Sequence, residues 1–366
     1  MLEYYTGEAL PYVSEQLPGI GGRLRASPEH FEVEEIPLYE ASGEGEHLYI
    51  NVTRIGQTTK DVQADLARLF GIERSQVGFA GLKDKYARTS QTFSLAVGRQ
   101  GAGFAADAGA KVEAALPVEV NWARFHTNKL KTGHLLGNRF SIVVSQLECA
   151  IDECLARCSA IQQTLLQRGV PNYFGSQRFG QSGGNVRQGL GILDGSLRQR
   201  DRWLRQFLVG SVQSYLCNEY LAERMRRKLF DTLLVGDVAK KYDTGGMFVV
   251  KDIDAEHDRY LAHEISFTAP IFGPKMWAAE GISGELEAEI LEKASVSIAD
   301  FKKARVSGTR RLGRLLVDNL TVSGDDDGVR LSFSLPKGAY ATTVMREFMK
   351  TNGDSAYAED GESGEE

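Results

Sequence analysis

The stretch Phe31-Glu32-Val33-Glu34-Glu35-Ile36 alternates apolar with acidic positions, and Leu48, Ile50 and Val52 alternate with Tyr49, Asn51 and Thr53. Both patterns carry the period of two expected of half-buried strands. The pattern then changes. Val62, Leu66, Leu69 and Phe70 fall on one helical face, with Asp61 placed to meet the positive helix start and Gly71 placed to stop it. The first third is therefore mixed strand and helix, and further strands are predicted over residues 92–97 and 140–145. A long helix is predicted over 151–168, closed by Gly169 and Pro171.

Working outward, residues 170–310 change in character. Two arginine-rich helical stretches are predicted over 197–208 and 212–229, followed by shorter segments broken by Gly and Pro, such as TAPIFGPKMW. Strand-like runs return at 315–322 and 329–335 around the turn SGDDDG, before a helix over 340–350. DDDG lacks the alternating ligands and closing Glu of a calcium loop, so it reads as a hairpin turn.

A chain of 366 residues holds about two domains and a large core. No apolar run reaches the ~18 residues of a membrane span, and the start MLEYYTGEAL has no signal-peptide character. The expectation is a soluble, cytoplasmic protein. Formal net charge is -6, but the tail DSAYAEDGESGEE carries six acids and no base, so the body is neutral. Whole-chain charge thus says little about a polyanion partner. Local clusters say more: Arg198, Arg200, Arg202 and Arg205, then Arg224, Arg226, Arg227 and Lys228, then Lys302, Lys303 and Arg305. Each alone is an ordinary solvated face; three together point to a polyanion surface.

Cys154 and Cys158 share helical spacing with Ile151, Leu155, Ile161, Leu165 and Leu166, so the cysteines are expected in the core. No CxxC or HExxH spacing occurs, and neither a disulfide nor a metal is expected. There is no GxSxG elbow and no GxxxxGK[ST] phosphate loop, and GIGG at 19–22 completes no dinucleotide fingerprint. Glu34 and Glu35 read as the solvated face of a strand. The densest polar constellation is Gly78-Phe-Ala-Gly81-Leu-Lys83-Asp84-Lys85-Tyr-Ala-Arg88-Thr89-Ser-Gln91. A carboxylate between two lysines and near an arginine stays ionised at neutral pH, which makes Asp84 a nucleophile or electrostatic stabiliser and not a proton donor.

This segment resembles the motif AGxKDKxAxTxQ of the TruD family of pseudouridine synthases. Four more segments agree in order: Arg25-Ala-Ser-Pro28-Glu29-His30-Phe31-Glu32-Val33-Glu34-Glu35; Lys131-Thr-Gly133-His-Leu-Leu-Gly137-Asn138-Arg139-Phe140; Val170-Pro171-Asn172-Tyr173-Phe174-Gly175-Ser176-Gln177-Arg178-Phe179-Gly180; and Leu335-Pro-Lys-Gly338-Ala-Tyr-Ala341-Thr342-Thr343-Val344-Met-Arg346-Glu347. The resemblance spans nearly the whole chain. It implies an α+β protein whose catalytic domain, residues 1–169 and 309–353, has a mixed, mainly antiparallel sheet. An α+β TRUD insertion would occupy 170–308, followed by an acidic, disordered tail at 354–366.

The implied reaction is isomerisation of uridine to pseudouridine in tRNA, at position 13, without cofactor or metal. By the same resemblance Asp84 attacks the flipped-out nucleoside, Arg25 pairs with Asp84, and Asn138 and Phe140 line the uracil pocket. Lys83 and Lys85 are expected to bind substrate. Tyr173, Phe174, Gln177 and Arg178 stand open between core and RNA contact. His30 departs from the family's PEDF, which bears on one local hydrogen bond. The expected partner is tRNA, with no membrane, and the neutral body gives no reason against a monomer. Two rivals carry weight: a non-catalytic RNA-binding protein, and an Asp-dependent N-glycoside hydrolase that would release free uracil.

Overall fold

The computed structural model describes residues 10–351, so the acidic tail expected at 354–366 lies outside the described residues. Backbone proximity divides the chain into two compact units, residues 21–156 with 318–338, and residues 10–20 with 157–317 and 339–351.

In the first unit β1 (Phe31–Pro37) and β2 (His47–Arg54) form where the alternation predicts them. α1 (Thr59–Phe70) starts two residues before Asp61. Its cap is Thr58, whose Oγ1 accepts from the Asp61 N–H at 3.1 Å while the Asp61 carboxylate accepts from the Thr58 N–H at 2.9 Å. Gly71 ends it at φ 64°. There follow β3 (Val77–Phe79), β4 (Arg88–Ala96), α2 (Phe104–Ala115), β5 (Glu119–His126), β6 (Leu135–Val144) and the start of α3 (Ile151–Arg168), whose residues from 157 on belong to the second unit.

The second unit supplies β7 (Val170–Pro171), α4 (Gly184–Asp194), α5 (Arg202–Arg226), β8 (Val238–Lys241), β9 (Met247–Val249) and α6 (Ile253–Leu261). It continues with β10 (Ile265–Ile271), α7 (Gly281–Lys293), α8 (Ile298–Lys303), β11 (Thr309–Leu312) and β12 (Arg314–Leu315). The chain then returns to the first unit with β13 (Asp318–Asp325) and β14 (Gly328–Pro336), and ends in the second with α9 (Ala341–Met349).

The main sheet of the first unit runs β13-β14-β6-β1-β4-β2-β5, with β3 also paired to β4. β1 and β4 are parallel and the other neighbours antiparallel, giving the mixed, mainly antiparallel sheet expected. Leu48, Ile50 and Val52 pack with Val62 and Leu66 of α1, Phe93 and Leu95 of β4 and Val112 of α2. Burying each such side chain contributes about 1.5–3 kcal/mol, which pins α1 against the sheet.

In the second unit the two predicted arginine-rich helices are one. α5 opens at Asp201, whose carboxylate accepts from the Leu204 N–H at 2.8 Å, and it runs through Gly210 without a break. A second sheet, β11-β10-β8-β9, lies in the same unit. The compact units are drawn differently from the expected domains. β11 pairs with β10 and β12 with β7, so residues 309–315 belong with the second unit. The buried Glu347 of α9 accepts from the N–H groups of Val13 and Ser14 at 3.0 and 3.1 Å, which draws in both the start of the described chain and α9.

The cysteine reading needs one correction. Cys158 and Cys217 are free and buried, and burial pushes both thiols up to about 12. Cys149 and Cys154, however, form a disulfide. Cys154 does lie on the apolar face of α3, but Cys149 precedes the helix and the turn brings the two Cα atoms to 5.9 Å. Helical periodicity cannot report a partner that lies outside the helix.

Candidate active site

Asp84 lies in the loop between β3 and β4. Gly78 of β3 allows that strand to pass directly over the Leu130 carbonyl, where any Cβ would collide. Further along the loop, the Gly133 N–H donates to the Ala80 carbonyl at 2.7 Å. The segment around Lys131 thus braces the loop that carries Asp84.

One Asp84 oxygen accepts from Arg25 Nη2 at 2.5 Å, and the other accepts from the Tyr86 N–H at 3.1 Å. The Arg25 and Asp84 side chains are 14% and 30% exposed, so the pair is sheltered but reachable. Arg25 holds a left-handed φ of 58°, and a two-way backbone bridge between Arg23 and Ser145 anchors its segment to the end of β6. The arginine beside Asp84 is thus Arg25, as the resemblance implies. Arg88, the one nearby in sequence, pairs instead with Glu119 and Glu32 at 3.1 and 3.9 Å.

The Arg25 guanidinium also lies 4.4 Å over the ring of Phe31, which meets Phe140 edge-on at 6.5 Å. Phe140 is opposite Val33 on β1 and Phe333 on β14, and two residues earlier Asn138 is opposite Glu35 and Leu335. Asn138 Oδ1 is buried without a hydrogen-bond partner. An unsatisfied buried amide beside an aromatic ring has the chemistry to receive a base edge.

Glu35 overturns its reading as a solvated residue. It is 6% exposed and accepts from Lys83 Nζ at 2.8 Å. Glu34, one residue earlier, is on the open face and pairs with Arg139 at 2.5 Å. Gln91 Nε2 reaches Glu35 at 3.5 Å and donates to the Gly81 carbonyl at 2.5 Å. Gln91 Oε1 in turn accepts from Thr59 Oγ1 at 3.1 Å and from Arg54 at 3.3 Å. Burial pulls Arg54 down to about 10, with the Glu35 charge acting against that shift.

Lys83, expected to meet substrate, is therefore spent on Glu35 with only 5% of its side chain exposed. Lys85 is exposed, 5.9 Å over the Tyr86 ring. Exposed Leu82 and Tyr86 give the Asp84 loop an apolar rim. His30, the departure from the family pattern, shares a hydrogen bond with Asp327 Oδ2 at 3.0 Å and ties the start of β1 to the β13–β14 turn.

The arrangement offers a carboxylate on a braced loop, an arginine that fixes it, and an unsatisfied amide beside an aromatic ring. The family model for TruD, tRNA pseudouridine synthase D, matches residues 8–199 and 188–348. The chain belongs to the TruD family. A TruD relative from Thermus thermophilus, named tRNA pseudouridine synthase D, is 41% identical over 343 residues, covering 94% of this chain and 93% of its own. One of the same name from Anaeromyxobacter dehalogenans is 41% identical over 359 residues, covering 96% and 99%. The crystal structure of a Methanosarcina mazei chain assigned to TruD shares the fold, with a TM-score of 0.79 at 24% identity over 95% of this chain and 98% of that one.

Reading single residues missed Glu35, Gln91 and Arg54. The signal for Glu35 was present: a period of two puts it on the face of Phe31 and Val33. Gln91 stood at the end of the polar constellation with no role assigned and Arg54 carried no mark at all, because their meeting depends on β2 and β4 being neighbours.

Proposed function

We propose that this chain converts uridine to pseudouridine in tRNA, at position 13, with Asp84 as the nucleophile. The observation that carries this is the Asp84–Arg25 pair on a braced loop, in the same unit as the unsatisfied Asn138 amide and Phe140. Asp84 attacks the target nucleoside and the bond from C1′ to N1 breaks. The base turns and rejoins C1′ through C5 as the Asp84–C1′ bond breaks and the carboxylate is released, and the C5 hydrogen leaves as a proton while N1 gains one. Atoms balance without a cofactor.

Arg25 holds the carboxylate in place, Phe140 supplies the aromatic wall, and Asn138 reads the Watson-Crick edge of the flipped base. Lys83 acts through Glu35 as a brace for the loop, and Lys85 meets the RNA backbone. The TRUD insertion of the family corresponds to residues 170–308, within the second unit.

Tritium release from RNA labelled at uridine C5 tests the reading. Wild type should release tritium and keep the base in the chain, and D84N should bind RNA and release essentially none. Binding by wild type without release would favour the non-catalytic RNA-binding reading, and liberated uracil the hydrolase.

A further inference from the structure

Burying a guanidinium without a partner is costly, and the buried arginines of this protein show how the cost is met. Arg54 donates to Gln57, Gln91 and Thr59, and Arg224 to Asp237. Arg310 is held by Glu287 and Thr268, the half-buried Arg311 by Asn172, and Arg314 by the carbonyls of Tyr260 and Ile265. Arg178 differs from these. Among the described residues its half-buried guanidinium has no hydrogen bond and no ion pair, and its Nε is buried. Burial lowers its pKa from the ordinary arginine range, yet an arginine stays protonated at neutral pH.

The surroundings are built to hold it. The Arg178 carbonyl accepts from Ser211 Oγ at 3.0 Å and Asn185 Nδ2 at 3.4 Å, which fixes its backbone. A Cβ at Gly210 would come within 2.7 Å of Arg178 Nη2, so the glycine in mid-α5 makes room for the fork. The guanidinium lies 4.9 Å over the ring of Phe207, which stacks on Trp203 at 5.4 Å and 10°. Trp203 is 55% exposed. Nearby in the chain, Arg198, Arg200 and Arg202 are exposed and form no ion pair among the described residues. Arg205 donates to the Lys303 carbonyl at 3.3 Å, bringing the cluster of Lys302, Lys303 and Arg305 to the same end of α5.

We infer that Arg178 and the adjoining Trp203–Phe207 stack form an RNA subsite of the second unit. The guanidinium fork takes a backbone phosphate and the open indole face takes an unpaired base. Phosphate matches an unspent bidentate donor, and the cationic surroundings raise the local concentration of a polyanion. Stacking on Trp is tolerant of sequence, as suits a contact away from the reacting uridine. The inference rests on the proposed reading of the chain as an RNA-modifying enzyme.

The test is the affinity of the full chain for a fluorescent tRNA across a salt series, with tritium release in parallel. R178Q should lose about tenfold in affinity and lower the slope of log K against log salt by about 0.7 to 0.9, whereas R178K should keep the slope. W203A should lose about fivefold or more with the slope unchanged. All three should turn over within about twofold of wild type at saturating RNA. R178Q binding like wild type, or R178Q and R178K losing affinity equally at an unchanged slope, would overturn the subsite. Wild type that bound RNA but released no tritium would overturn the enzymatic reading and leave the subsite standing.

Discussion

Arg25–Asp84 in the first unit and Arg224–Asp237 in the second are the same chemical pair in two settings. The first meets at 2.5 Å, with side chains 14% and 30% exposed. The second is fully buried and bidentate at 2.7 and 3.1 Å, and Asp237 also accepts from Ser283 Oγ and the Leu234 N–H, both at 2.7 Å. Arg224 adds bonds to Tyr220 Oη and to the carbonyls of Leu229 and Thr232. Every lone pair of the second aspartate is engaged, so it can only hold the fold. The first stays open to solvent, so it can react. The contrast also corrects the reading of residues 224–228 as part of a polyanion surface, because Arg226 and Arg227 are paired with Glu223, and Arg227 with Glu289 as well.

The largest effect expected from breaking this comparison is in D84N. Removing the proposed nucleophile should cost on the order of 10³ or more in turnover, while stability should move by less than about 1 kcal/mol, because the pair is partly exposed. Tritium release and urea melts measure the two. D237N should reverse the pattern. It leaves Arg224 buried without its counter-charge, at a cost of about 3–5 kcal/mol, while the folded fraction turns over as wild type does. A D237N protein with an unchanged urea midpoint would undo the structural half of the comparison.

E35Q probes the space between the two. It keeps a hydrogen-bond acceptor for Lys83 but removes the charge, so stability should fall by about 1–3 kcal/mol. Turnover should fall roughly tenfold at unchanged RNA affinity, because the Asp84 loop is less well held. Loss of stability with no change in turnover would make Glu35 a fold residue only.

The smallest effect concerns Glu219 of α5, a largely buried carboxylate. Its Oε1 has no hydrogen-bond partner, and burial pushes its pKa up to about 7. Between about pH 4.5 and 7 the unfolded chain loses this proton while the folded chain keeps it, so the group withdraws stability as pH rises. E219Q should therefore be more stable than wild type at pH 8, by up to about 3 kcal/mol in urea melts, and equal to it at pH 4. A variant no more stable than wild type at pH 8 would mean that Glu219 is better solvated than its position in α5 implies.

Much of the fold was legible because its signals are local. The helix 151–168, the hairpin around SGDDDG and the strands at 31 and 48 follow from periodicity and turn chemistry that neighbouring residues impose on one another. Asp84 was legible through the density of charge around it and through a motif of contiguous residues. What the sequence by itself determined is thus the elements with a clear local pattern and the position of the charged loop that carries Asp84. Tertiary structure alone decided which cation meets which carboxylate. Arg88 is four residues from Asp84 yet pairs elsewhere, while Arg25 arrives from 59 residues away. It also decided that Glu35 is buried and Glu34 is not, and that Arg224 is spent while Arg178 is not. The reason is physical: the free energy of a charge depends on solvent exposure and on partners a few ångströms away, and sheet register and helix packing fix both across distances that local pattern cannot span.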